Sequence, residues 1–179
     1  MQLQTDRLIL RRFLAEDWMD LADYLSREEV VFFEPYGVFD HEASRKEASR
    51  RATDDSFWAV CLVTTGKVIG NVYFQQKDPA EFRTWEIGYV FNPDYSGQGY
   101  ATEASARILR YGFEEMHARR IVAECNTQNA PSWRLLERLS MRREATFQKV
   151  AFFNRDESGE PNWFDAYSYA LLAEEYQRT

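Results

Sequence analysis

The sequence predicts a mixed α/β fold with a central, partly parallel sheet, and three observations predict it. Segments rich in β-branched and aromatic residues alternate with segments of helical spacing. Residues 57–63 and 67–75 are two strand segments joined by Thr64-Thr65-Gly66, a short hairpin and so an antiparallel pair. Residues 85–104 then read as strand, glycine loop and helix, the start of a crossover.

Composition narrows the class. The 179 residues suit one domain, 1–179, with one sizeable core, and 45% hydrophobic residues exclude a disordered chain. A net charge of −7 argues against nucleic-acid binding, which wants a basic face. It is compatible with a cationic amine substrate, although an acidic surface also serves solubility alone. No apolar run approaches a membrane span, and Met1–Arg7 holds no signal-peptide core, so a cytoplasmic protein is expected. Cys61 and Cys125 lie in apolar strand segments and are expected as reduced thiols. His41 and His117 have no ligand cluster around them, so no metal is expected.

The elements follow in order. Residues 7–13 alternate Leu8 and Leu10 with charged neighbours, a first strand. Residues 16–26 place Trp18, Leu21, Ala22 and Leu25 at helical spacing. Residues 29–37 are apolar and end in a Pro-Tyr-Gly turn. Asp40 caps a polar helix to about Ala52 with Ala43 and Ala48 as its inner stripe, and Arg45, Lys46, Arg50 and Arg51 read as its wet face. The hairpin 57–75 and the strand at 85–91 complete an antiparallel run of four strands. Asn92-Pro93-Asp94 ends that run, because proline cannot donate to a ladder. The helix 101–116 buries Ala104, Ile108, Leu109, Gly112 and Met116, and pairs Glu103 with Arg107 on its wet face. A strand at 120–125 follows, then a short helix with Pro131 in its first turn and Leu135, Leu136 and Leu139 inward. Strands at 147–153 and 163–172, joined by the polar loop 154–162, close the chain.

The glycine loop carries the functional signal. Gly97, Gly99 and the small helix start Ala101-Thr102 let a ligand approach the backbone, where free N–H groups and the positive end of the helix dipole favour phosphate. Gly99-Tyr100-Ala101 lacks the lysine of a P-loop, and Thr102 stands where a dinucleotide fingerprint needs glycine. On the loop alone, an ordinary strand–turn–helix connection fits as well.

Ser96-Gly97-Gln98-Gly99-Tyr100-Ala101 resembles the acetyl-CoA pyrophosphate loop of the GNAT superfamily of N-acetyltransferases, with Ser96 in place of the usual arginine or glutamine. With Glu86-Ile87-Gly88-Tyr89 before it and Thr102-Glu103-Ala104 after it, the string is similar to the branch containing the RimJ and RimL ribosomal-protein acetyltransferases. The resemblance runs from Thr5 to about Tyr176. It implies a mostly antiparallel sheet with a parallel, splayed strand pair at the acetyl-CoA site, flanked by helices. It implies acetyl-CoA as cosubstrate, contacted by Tyr89, Val90, Phe91, Gly97, Gln98, Gly99, Tyr100, Ala101 and Thr102, and an amine acceptor, a peptide N-terminus or a small molecule. Dimers are frequent in the family. A non-catalytic acyl-CoA-binding module is the alternative of a different class.

Acetyl transfer to an amine poses three problems. The amine must lose a proton, which costs about 1 kcal/mol for an α-amine and roughly 4–5 kcal/mol for a lysine-like amine at neutral pH. Glu86 aligns with the position of a catalytic glutamate in several GNAT enzymes and is the expected base, unless it is structural; Glu34 and Asp165 are the fallback carboxylates. The thioester oxygen needs a donor, and Gly88 in mid-strand suggests a bulge that turns a backbone N–H, that of Val90, toward it. The departing thiolate needs a proton. Asn129 and Ser132 resemble the second cofactor motif, Asn-x-x-Ser, with Asn129 on the pantetheine arm and Ser132 as acid; both residue types also simply cap helices. The tyrosine that many relatives place on this helix is Leu136 here, and Ser140-Met141 replaces the usual Gly-Phe. Glu34, Tyr36, Trp163 and Asp165 are the expected acceptor contacts. Neither cysteine has a histidine near it in sequence, so direct attack without an acyl-enzyme is expected.

Overall fold

All eight strands of the computed structural model, which describes residues 1–176, belong to one sheet. They are β1 (Gln2–Gln4), β2 (Leu8–Arg11), β3 (Phe57–Leu62), β4 (Val68–Gln76), β5 (Thr84–Phe91), β6 (Arg120–Asn126), β7 (Arg142–Ala151) and β8 (Phe164–Leu172). Their order is β1-β2-β3-β4-β5-β6-β8-β7. Every neighbouring pair is antiparallel except β5 and β6. The helices are α1 (Trp18–Leu25), α2 (Glu28–Val31), α3 (His41–Ala52), α4 (Tyr100–Arg110), α5 (Ala130–Arg138) and α6 (Ala173–Tyr176). Mixed α/β with one parallel pair is thus the fold, as expected.

Around β3 and β4 the sheet is buried on both faces. On one, Leu8, Leu10, Trp58, Val72, Phe74 and Ile87 meet Ala104, Ile108 and Leu109 of α4 and Leu135 and Leu136 of α5. On the other, Ala59, Cys61 and Val68 meet Leu21, Tyr24 and Leu25 of α1, Val31 of α2 and Ala48 of α3. Asp40 caps α3 as expected, its carboxylate accepting from the Ala43 N–H at 2.8 Å.

Several expectations are corrected. β1 adds a fifth strand to the antiparallel run; with one inward residue, Leu3, it shows no alternation to read. The turn-ending stretch 29–37 begins as the one-turn helix α2. β7 starts at Arg142, before the expected 147, because this edge strand is exposed along nearly its whole length and carries no apolar alternation. α4 gives way to a π-helical turn over Tyr111–Glu115, which leaves Met116 37% exposed. Glu103 bonds to Arg7 instead of Arg107 (Nε–Oε2 2.7 Å), while Arg107 reaches Glu115. Arg51 is only 1% exposed, not part of a wet face. Its Nε donates to Glu47 and its Nη1 to Asn71, so the buried charge is paired and hydrogen-bonded.

No bulge occurs at Gly88. The β4–β5 register runs unbroken from Gly70↔Phe91 to Gln76↔Trp85, and the irregularities lie instead between Val60 and Cys61 of β3 and along β7, between Arg143 and Ala145 and between Phe147 and Ala151. The Asn92 N–H donates to the Ile69 carbonyl and the Lys77 N–H to the Thr84 carbonyl, so the even residues of β5 bond to β4. The Val90 N–H is therefore committed to that ladder. Tyr89 and Phe91 direct their N–H groups to the opposite edge, toward β6.

Candidate functional site

β5 and β6 pair only over Thr84–Glu86 and Arg120–Val122. Beyond that register β5 runs on to Phe91 beside β4, while β6 runs on to Asn126 beside β8. The strands part, and a cavity of about 1000 Å³ occupies the gap. Residues 87–91 and 123–126 form its two sides, and the loop before α4 forms one end.

That loop has the shape an anion needs. Gly97 and Gly99 sit at φ 74° and 81°, left-handed values that residues with a Cβ rarely adopt. Gly99 precedes the first turn of α4 and offers no side chain to cap it. Ser96, Gly97, Gly99, Tyr100, Ala101 and Thr102 all line the cavity. Gln98 does not; its carbonyl accepts from Arg7 Nη1 at 3.0 Å. The Arg7 guanidinium lies 4.5 Å over the Tyr100 ring, and its partner Glu103 also accepts from Thr5 Oγ1 at 2.5 Å. Burial works against the Glu103 charge, but the Thr5 and Arg7 bonds outweigh it and hold its pKa down. From α5, Arg138 Nε donates to Thr102 Oγ1 at 3.3 Å. Two guanidinium groups thus flank a loop whose own first position is Ser96. Neither was legible in the sequence, because Arg7 lies 91 residues from Gln98 and Arg138 lies 36 from Thr102.

Midway along the cavity, Asn129 caps α5, its Oδ1 accepting from the Ser132 N–H at 3.3 Å. Tyr89 crosses from β5, its hydroxyl 3.0 Å from the Ser132 carbonyl and 3.1 Å from Ser132 Oγ. Burial raises the Tyr89 pKa, so the phenol keeps its proton. A tyrosine therefore stands beside Ser132, supplied by the strand rather than by position 136 of the helix. Cys125 lines the same wall; burial pushes its thiol up to about 11, against a bond with Ser132. Cys61, on the buried face of the sheet near Arg11, is likewise pushed up to about 11 by burial. Neither is an activated thiolate.

Toward the other end of the cavity stand Glu34, Tyr36, Asn71 and Glu86. Lys77 Nζ donates to Glu86 Oε2 at 2.9 Å, and that bond raises the Lys77 pKa. Burial raises Glu34 to about 7, opposed by a bond from Tyr36 and the charge of Arg51. Trp163 and Asp165 are not in this cavity. They line an adjoining one of about 700 Å³, which shares Asn126 and Phe153 with the first, and Asp165 Oδ1 accepts from the Lys149 N–H at 2.8 Å. Among the described residues, no cluster of His, Cys, Asp and Glu is arranged to hold a metal ion, and no helix is long and apolar enough to cross a membrane.

Comparison with known proteins agrees with this geometry. Residues 7–142 match the family model described as an acetyltransferase (GNAT) domain. The chain is 37% identical to the uncharacterized N-acetyltransferase YnaD of Bacillus subtilis over 177 residues, covering 98% of this chain and 99% of that protein. It is 31% identical to the uncharacterized N-acetyltransferase p20 of Bacillus licheniformis over 97% of each chain. A crystal structure of a GNAT-family acetyltransferase from Bacillus anthracis superposes with a TM-score of 0.88 at 36% identity, covering 98% of this chain and 100% of that one.

Proposed function

The chain belongs to the GNAT acetyltransferase family and is an N-acetyltransferase; from that premise we propose that it moves the acetyl group of acetyl-CoA directly onto a primary amine, the α-amine of a peptide N-terminus, as a member of the RimJ/RimL-like branch. The observation that carries this reading is the parting of β5 and β6 over a cavity that begins at a glycine-led helix end with no side-chain cap.

The residues present fit acetyl-CoA. Gly97, Gly99 and the first N–H groups of α4 take the pyrophosphate, with Arg138 supplying positive charge that Ser96 does not, while Arg7, ion-paired with Glu103, braces the loop through the Gln98 carbonyl. The N–H groups of Tyr89 and Phe91 face the gap and offer the pantetheine amides a ladder edge, opposite Asn129. The Tyr89–Ser132 hydroxyl pair on the cavity wall supports protonation of the departing thiolate by these residues. Acetyl-CoA supplies the activated acyl group; the chain's task is to place the amine against it and to move two protons. High thiol pKa values at Cys61 and Cys125 support direct transfer rather than an acyl-enzyme. The peptide acceptor is supported by the adjoining cavity lined by Trp163 and Asp165, which gives the residues after an N-terminal amine somewhere to lie.

Thermal unfolding with acetyl-CoA, CoA and ATP in parallel tests the cofactor. A ligand at about 100 times its Kd adds about 2.7 kcal/mol of stability, so both CoA forms should raise Tm and ATP should not. No shift with acetyl-CoA would sink the reading. Thiol release with a peptide amine is then expected; release only with small amines would make it a small-molecule acetyltransferase. A Tm shift without release from either would leave an acyl-CoA-binding module.

A further inference from the structure

Four carboxylates line the cavity, Glu29, Glu34, Glu86 and Glu124, and the surroundings of the two that the sequence offers as bases, Glu34 and Glu86, differ. Glu86 is committed: its side chain is 32% exposed and ion-paired with Lys77 at 2.9 Å. An acceptor ammonium approaching Glu86 therefore meets the like charge of Lys77 as well as the carboxylate. Glu34 has no such cation bonded to it. It follows α2 on the irregular stretch that leads to Tyr36, and both residues line the cavity.

We propose that Glu34 is the base that takes the proton from the acceptor ammonium, and that Glu86, paired with Lys77, serves the strand rather than the chemistry. The inference rests on the acetyltransferase reading above. The ammonium gives one proton to Glu34, which passes it to solvent. The freed nitrogen lone pair forms the C–N bond as the C–S bond breaks. The second nitrogen proton is the one that balances the sulfur, through the Ser132–Tyr89 hydroxyls.

The charged and titratable groups around Glu34 are consistent with this role. From α3, Arg51 faces it, but its Nε is held by Glu47 and its Nη1 by Asn71 of β4. From α1, the Tyr24 hydroxyl is bound to the same Asn71 at 3.0 Å. Glu29 of α2 lines the cavity nearby, and Glu86 of β5 is neutralised by Lys77. Burial therefore decides the balance and raises Glu34 to about 7, where a general base works best at neutral pH.

The test compares wild type, Glu34→Gln and Glu86→Gln in acetyl-CoA thiol release with an alanine-initiated peptide, phenethylamine and spermidine as acceptors, across about pH 5.5 to 9. For the best acceptor, kcat/KM in wild type should fall as pH drops through about 7. Glu34→Gln should lose about 100-fold and abolish that limb, while Glu86→Gln keeps it. Independently, the side-chain carboxyl carbon of Glu34, assigned by NMR through its absence in Glu34→Gln, should titrate near 7. Thiol release with its acid limb intact in Glu34→Gln overturns the proposal alone, as does a limb lost in Glu86→Gln. A Glu34 carboxyl that titrates near the ordinary 4.5 overturns it as well. If acetyl-CoA does not stabilise wild type, or no acceptor releases thiol, the acetyltransferase reading fails and takes the base with it.

Discussion

Ser132 shows what a single residue's environment adds to its identity. The Asn-x-x-Ser spacing placed it at the head of α5, where its hydroxyl could equally have been a cap. In the structure Asn129 does the capping, and the Ser132 hydroxyl lies 3.1 Å from the Tyr89 hydroxyl. A buried phenol with a raised pKa is a store of one proton, and the serine is the shortest route from it to the gap. Tyr89→Phe and Ser132→Ala should each lower the single-turnover rate of thiol release by about 100-fold, with acetyl-CoA affinity little changed. Because the two act as a unit, the double variant should lose far less than the product of the single losses. Single variants that both keep the wild-type rate would remove the pair from proton transfer. Tyr89 as a partner was not legible, since 43 residues separate it from Ser132 and it lies on a strand.

At the scale of the element, α4 was the easiest helix to read and the hardest to end. Ala104, Ile108 and Leu109 mark its inner face, and all three are buried. Its continuation into a π-helical turn was not legible, because the same spacing suits either path. Gly112 sits in that turn, pressed on the sheet. A Cβ there would stand 2.7 Å from Phe74 Cζ and 2.8 Å from Ile121 Cδ1. Phe74 is stacked on Trp85 at 4.7 Å, and Ile121 is fully buried, so neither yields easily. Alanine gains up to about 1 kcal/mol of helix propensity over glycine, but overpacking costs about 1–3 kcal/mol. Gly112→Ala should therefore lower Tm, by about 2–4 °C per kcal/mol of net loss in a chain of this size, as thermal unfolding would read. An unchanged or higher Tm would show that the sheet gives way. The helix α3 teaches the converse lesson. Its run of basic residues reads as a solvated face, yet Arg51 turns inward because Glu47 one turn away and Asn71 on β4 satisfy it.

For the whole molecule, the decisive feature is where one sheet stops being continuous. The N–H groups of Gly88 and Val90 are held by β4, whereas those of Tyr89 and Phe91 face the gap between β5 and β6. Hydrogen exchange of the free protein should therefore be slow at the first two and fast at the second two, and acetyl-CoA should slow Tyr89 and Phe91 selectively. Uniform protection along 87–91 without ligand would mean that the strands close. The order of strands and helices apart from β1 and α2, the hairpin at 57–75, the glycine loop and the α5 motif were determined by the sequence itself, because each rests on local periodicity and turn chemistry within a few residues. The parting of β5 from β6, the guanidinium groups of Arg7 and Arg138 beside the loop, the tyrosine beside Ser132, the pairing of Glu86 with Lys77 and the partial burial of Glu34 were decided by tertiary structure alone. Each depends on which distant residues share a neighbourhood and how much water they exclude, and those are properties of the packed sheet rather than of any stretch of chain.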